Sequence, residues 1–189
     1  MDYTKFNKTV RETLLKKITN REVVAGVIGL GYVGLPLTVK MAKAGFKTIG
    51  FDIKKEKVDS VNQGRNYIGD VADSDLKMLV ENGMLAATTD FSEIDKVDFV
   101  AICVPTPLDA HRQPDISHVE LSVKSIAEHL HKGMMVVLES TSYPGTTEEL
   151  VKPILESSGL ECGKDFYLGF SPERVNPGSA IYPPICKKW

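Results

Sequence analysis

The sequence predicts an α/β chain built on a doubly wound parallel sheet, with helices on both faces and one extra helix at the amino end. Three observations carry that expectation. The apolar run Val23-Val24-Ala25-Gly26-Val27-Ile28 breaks into Gly29, Gly31 and Gly34, spaced G-x-G-x-x-G, where a buried strand gives way to a helix. A second β-like run over 46–51 ends in Asp52, 21 positions beyond Gly31. Strand-like and helix-like segments then alternate with no hairpin signal between them, which leaves parallel strands joined by crossover helices. This is the pattern of a Rossmann-like dinucleotide-binding domain.

Taken from the amino end, residues 4–19 place Phe6, Val10, Leu14 and Ile18 four apart among lysines, as an amphipathic helix does. Such a stripe is covered by the parent domain or, alternatively, by a partner. Strand one then meets the glycine turn. Gly29 suits the tight turn, Gly31 lets the backbone approach a diphosphate, and Gly34 lets the following helix pack close to the strand. Leu30, Tyr32 and Val33 complete the turn, and the helix opening at about Val33 aims N–H groups and its positive dipole end at the anion. That helix extends over 33–44 and stops at Gly45. Asp52 stands where a carboxylate accepts hydrogen bonds from ribose hydroxyls and repels a 2′-phosphate, which favours NAD over NADP. The nearby cations Lys54, Lys55 and Lys57 would tolerate the extra phosphate. The structural alternative is that Asp52 caps the helix beginning near Lys54.

A short helix follows through about Gln63, then the turn-rich Gly64-Arg65-Asn66-Tyr67-Ile68-Gly69-Asp70, a helix carrying Leu76, Leu79 and Val80, and a strand over 85–88. Asp90, with Glu93 three residues on, reads as a capped turn, and 99–104 as an apolar strand with Cys103 in the core. Ligands of such sheets lie beyond the carboxyl ends of the strands, so the loops there are informative. In Val104-Pro105-Thr106-Pro107-Leu108-Asp109 two prolines fix the backbone. Either Thr106 presents its hydroxyl and N–H to a cofactor, or the segment is simply a rigid turn. After a strand over 134–138, Thr146 and Glu149 form a capping box for a helix reaching about Ser158, which leaves Ser140, Thr141 and Ser142 to bond a cofactor, a water or a sugar. A last strand over 166–170 leads into Ser171-Pro172-Glu173-Arg174-Val175-Asn176-Pro177-Gly178. Glu173 is held beside a proline to face a site, or is a solvated acid paired with Arg174.

Composition narrows the classes. The 189 residues suffice for one sizeable core, and 23 basic against 25 acidic residues, with no single-sign block, point to neither a nucleic-acid nor a membrane-surface partner. No run approaches membrane-span length, and residues 1–20 lack the apolar stretch of a signal peptide, so a cytoplasmic location is expected. Cys103, Cys162 and Cys186 are odd in number and show no C-x-x-C spacing. His111 and His118 flank a proline-rich loop, while His129 and His131 close a helix, where a cation complements the dipole; no metal is expected from these spacings.

The blocks Gly29-Leu-Gly-Tyr-Val-Gly-Leu-Pro-Leu37, Asp52, Val104-Pro-Thr-Pro-Leu108, Glu139-Ser-Thr-Ser-Tyr-Pro-Gly-Thr-Thr147 and Ser171-Pro-Glu-Arg-Val-Asn-Pro-Gly178 together resemble the N-terminal domain of the UDP-glucose/GDP-mannose dehydrogenase family. The last two blocks are most similar to its UDP-N-acetylglucosamine 6-dehydrogenase branch. The resemblance implies two NAD-dependent oxidations of the C6 hydroxyl of a UDP-sugar to a carboxylate, through a thioester. It implies NAD contacts from the Gly29 to Gly34 turn, Asp52, Lys57, Pro105, Thr106, Ser140 and Thr141, with Lys57 standing where relatives often carry arginine. Thr141 would also help hold the hydrolytic water, Glu173 would assist proton movement beside C6, and Arg174 and Asn176 would lie toward the sugar.

The expected organisation is a helical extension over 1–22, the NAD-binding domain over 23–178 and a divergent tail over 179–189. The resemblance implies a central helix and a second domain, carrying a lysine, an asparagine and the nucleophilic cysteine, that have no match here. Cys186 beside Lys187 and Lys188 is a poor substitute at a chain end. The chain alone is therefore expected to bind NAD without completing the oxidation, and to work as an oligomer or with its missing half. The alternatives are a non-catalytic dinucleotide-binding module and a hydroxyacid or phosphogluconate-type dehydrogenase domain.

Overall fold

The computed structural model describes residues 8–108 and 114–172. In chain order these form α1 (Lys8–Thr19), β1 (Val24–Ile28), α2 (Gly34–Lys43), β2 (Lys47–Phe51), α3 (Lys55–Asn62), α4 (Asp73–Glu81) and β3 (Leu85–Thr88). A 3-10 turn (Phe91–Lys96), β4 (Phe99–Ile102), α5 (Ser117–Glu128), β5 (Met135–Leu138), a π-helical turn (Thr147–Val151), α6 (Lys152–Glu156) and β6 (Tyr167–Phe170) follow. The strands make one six-stranded sheet in the order β3-β2-β1-β4-β5-β6, with every neighbouring pair parallel. This is the doubly wound order predicted, and the crossovers reverse direction between β1 and β4, where such sheets open a crevice.

Burial on both faces explains why the strands read as continuous apolar runs. On one face Ile28, Phe51, Ile102 and Leu138 pack with Val119, Val123 and Ile126 of α5 and Leu155 of α6. On the other, Leu35 and Val39 of α2 pack with Val58 and Val61 of α3, Leu76 and Leu79 of α4, and Leu85 of β3. Thr88, Phe51, Ile28, Ile102, Leu138 and Phe170 occupy one register row at the carboxyl edge. The loops that leave this row therefore begin at a common level.

The amphipathic amino-terminal helix is present as α1, with Phe6 outside the described residues. Leu14 is buried, whereas Ile18 is 38% exposed, so only part of its stripe is used. Lys17 Nζ pairs with Asp98 Oδ1 at 2.6 Å, and Asp98 Oδ2 accepts the Val24 N–H at 3.0 Å, so one carboxylate ties α1 to the start of β1. Asp98→Ala strips both donors of their acceptor and is expected to cost about 1–3 kcal/mol, read as a lower urea midpoint with unchanged slope.

Of the local expectations, the capped turn at Asp90 and the helix end at His129 hold, and the Thr146 capping box is corrected. Asp90 caps its turn through the Ser92 N–H at 2.9 Å, while Glu93 pairs with Lys96 on the same 3-10 turn. Thr146 already has helical backbone angles, so its hydroxyl cannot reach forward; it donates to the Tyr143 carbonyl at 2.7 Å and forms no box with Glu149. The helix beyond it opens as a π-turn, with the Lys152 N–H donating to Thr147 O, because Pro153 has no N–H for the normal ladder. His129 is the residue that ends α5, and both histidines are also tethers: His129 Nδ1 lies 3.0 Å from Asp95 Oδ1 and His131 Nε2 2.9 Å from the Val97 carbonyl. Both anchor the segment that leads into β4.

Candidate dinucleotide site

Where β1 leaves the sheet, each of the three glycines has its own stereochemical reason. Gly29 has φ +94° and its N–H still bonds Phe51 O at 2.8 Å, so the chain turns while remaining hydrogen-bonded to β2. At Gly34 a Cβ would stand 1.7 Å from the Gly29 carbonyl oxygen, so only glycine lets α2 approach β1 this closely. A Cβ at Gly31 would meet no atom within 4 Å: there the chain faces open space. The N-terminus of α2, just beyond, has no side-chain cap and no acid in its first turn, which leaves its partial positive charge for an outside anion.

Leu30, between the first two glycines, is held on every side. Its side chain is fully buried against Gly50, its N–H donates to Asp52 Oδ2 at 2.9 Å, and its carbonyl accepts the Tyr67 hydroxyl at 2.8 Å. Asp52 Oδ1 accepts the Lys54 N–H at 2.9 Å, and Lys57 Nζ sits 3.0 Å from Oδ2. Asp52 thus makes no cap for α3, whose own N-cap is Lys54. These bonds occupy three of the roughly four acceptor positions of a carboxylate, leaving capacity for a ribose hydroxyl. Burial, and then the Asp52 charge, push the Tyr67 hydroxyl above its ordinary pKa, so it remains a donor.

These groups open onto a cavity of about 1110 Å³ at the switch point. Gly29, Gly31, Tyr32 and Val33 line it from the first loop, Asp52 and Lys57 from the second. Pro105 and Thr106 enter from the loop after β4, and Ser140 and Thr141 from the loop after β5. Leu30 and Gly34 are buried beneath the turn. The Ser140 hydroxyl points to the Ile102 and Val104 carbonyls at 3.2 and 2.8 Å, stitching two cavity loops together. Glu173, Arg174 and Asn176 lie outside the described residues, as do His111, Cys186 and the 179–189 tail.

The cavity also has walls that sequence reasoning did not single out: Tyr67, Ile53, Phe91 and one face of α5 bearing His118, Leu121 and Ser125. The α5 residues carry a signal in their spacing, since they lie three and four apart on the helix that follows β4. Tyr67 carries none, because its partner is 37 positions away. Among the described residues no group of three or more His, Cys, Asp or Glu converges as a metal site, and no helix is long and apolar enough to cross a membrane.

Comparison with known proteins adds the family. Residues 23–186 match the profile described as "UDP-glucose/GDP-mannose dehydrogenase family, NAD binding domain". The chain belongs to this family. Among the relatives, Protein CapL of Staphylococcus aureus is 40% identical over 164 residues, covering 86% of this chain and 37% of CapL. A UDP-N-acetyl-D-glucosamine 6-dehydrogenase of Pseudomonas aeruginosa is 41% identical over 159 residues, covering 84% of this chain and 37% of that protein. A ternary complex of GDP-mannose dehydrogenase from Pseudomonas aeruginosa superposes with a TM-score of 0.79 at 32% identity, over 83% of this chain and 37% of that one. The chain thus spans a little over a third of these relatives' length. What it shares with the family is the NAD-binding part, and the open volume at Gly31 beside an uncapped helix start fits the diphosphate of that cofactor.

Proposed function

We propose that this chain is the cofactor-binding part of a nucleotide-sugar 6-dehydrogenase that takes NAD into the switch-point cavity and serves the oxidation of a UDP-N-acetylhexosamine at C6. The observation that carries the reading is that Gly31, which has room for a side chain it does not possess, and Asp52, the acid beyond β2, open into one cavity. In this reading the backbone of the glycine turn and the start of α2 receive the diphosphate, while Asp52 and Lys57 hold the ribose. Pro105, Thr106, Ser140 and Thr141 border the reactive end. NAD, when bound, supplies the ring that accepts hydride. Thr141, exposed at the cavity edge, then orients water, and Glu173 moves the proton at the sugar, with Arg174 and Asn176 contacting substrate. The nucleophilic cysteine is assigned to polypeptide beyond the matched third, so the chain alone works as a dinucleotide-binding unit, in the cytoplasm, that pairs with the rest of the enzyme or with further copies.

Calorimetry with NAD, paired with an assay for NADH in the presence of UDP-N-acetylglucosamine, tests both halves of the proposal. Heat of binding without NADH is the expected result; absence of heat at saturating NAD sinks the first half, and turnover by the chain alone sinks the second. Asp52→Asn sharpens the cofactor assignment. It removes the charge that opposes a 2′-phosphate and sets an amide against the Leu30 N–H, so NAD is expected to bind about tenfold more weakly while NADP gains relative to NAD. An unchanged NAD to NADP ratio would remove Asp52 from the ribose site.

A further inference from the structure

Tyr67 sits in the connection between α3 and α4, a stretch with no regular structure that is nevertheless firmly built. Asn66 is its knot: its N–H donates to Asp73 Oδ1 at 2.7 Å, its Oδ1 accepts the Ile68 N–H at 2.7 Å, and its Nδ2 donates to the carbonyls of Ile68 and Val71. Ile68 and Val71 are in turn buried in the same core cluster as Leu30 and Leu35. The loop is therefore a rigid mount. What it mounts is a tyrosine that keeps 37% of its surface exposed while its hydroxyl reaches the Leu30 carbonyl at 2.8 Å. A phenylalanine would keep the packing of the ring. The hydroxyl is the part with a specific partner.

That partner lies in the turn that faces the open cavity. A trans peptide is planar, so the Leu30 carbonyl and the Gly31 N–H point in opposite directions along one rigid unit. Fixing the carbonyl toward Tyr67 fixes the Gly31 N–H away from it. The Leu30 N–H, one peptide earlier, is fixed by Asp52 Oδ2 at 2.9 Å. We propose that Tyr67 is a positioning residue for the diphosphate: together with Asp52 it clamps Leu30 from both ends and presets the peptide that a dinucleotide's phosphates approach at Gly31. The inference rests on the dinucleotide reading above and deepens it, since it assigns the 64–72 loop a part in cofactor affinity.

The test compares wild type with Tyr67→Phe, using ADP, NAD and adenosine as probes, together with amide hydrogen exchange in the ligand-free protein. Loss of one preorganising hydrogen bond is expected to weaken ADP and NAD about fivefold, to leave adenosine, which has no phosphate, unchanged, and to speed exchange at the Asp52-bonded Leu30 N–H but not in β5. Tyr67→Leu, which also removes the ring, is expected to weaken ADP no more than Tyr67→Phe does. Equal losses for ADP and adenosine, a much larger loss in Tyr67→Leu, or unaltered Leu30 exchange would each overturn the clamp. If wild type binds no NAD, the dinucleotide reading fails, and the exchange comparison still decides whether Tyr67 orders the turn.

Discussion

Gly34→Ala is expected to be severely destabilising. Its Cβ would lie 1.7 Å from the Gly29 carbonyl oxygen and 2.9 Å from the Gly29 carbonyl carbon, and both are backbone atoms that cannot rotate aside. The clash is relieved only if α2 lifts from β1, which would open the packing of Leu35 and Val39 against the sheet. Overpacking combined with lost contacts costs on the order of 3–5 kcal/mol, which lowers the melting temperature of a chain this size by roughly 6–20 °C. NAD affinity is expected to fall with it, since the helix start and the Gly29 turn would separate. A melting temperature within about 2 °C of wild type would show that α2 can shift freely, contrary to the packing described.

Gly31→Ala, three positions earlier, is expected to do the reverse. No atom lies within 4 Å of the new Cβ, so folding stability should hold to within about 1 kcal/mol. The methyl instead projects into the space proposed for the diphosphate, and NAD binding is expected to weaken by about a hundredfold, or roughly 2.7 kcal/mol. The pair is informative because the chemical change is identical. Thermal melts and NAD titrations of both proteins should show one losing stability and the other losing ligand. Equal NAD affinity in Gly31→Ala and wild type would move the diphosphate away from this turn.

These contrasts were legible in the sequence because a spacing of glycines is a stereochemical statement, and so was the sheet, because β1, β4 and β5 carry unbroken apolar runs that demand burial on both faces. Asp52 was legible as an acid beyond the second strand, but its bonds to Leu30 and Lys57 were not, since they depend on how two loops meet. One capping motif misled for a local reason. Thr146 matches the pattern of a cap, yet the turn at Tyr143 draws it into the helix one step early. Tyr67 was hidden by distance, whereas the α5 wall, with Leu121 62% exposed beside the cavity, shows in the sequence only as a helical spacing.

The strand order has a mechanical consequence. Three strands lie on each side of the β1–β4 pairing, and that pairing joins positions as far apart as Ala25 and Phe99. Among the described residues it is the sole ladder uniting the halves, and it is expected to form late because so long a loop must close first. The first two cavity loops spring from one half and the loops after β4 and β5 from the other, so a molecule lodged there acts as a rivet across the seam. Occupancy should therefore slow the unzipping of the sheet at its middle more than any fraying at its outer strands.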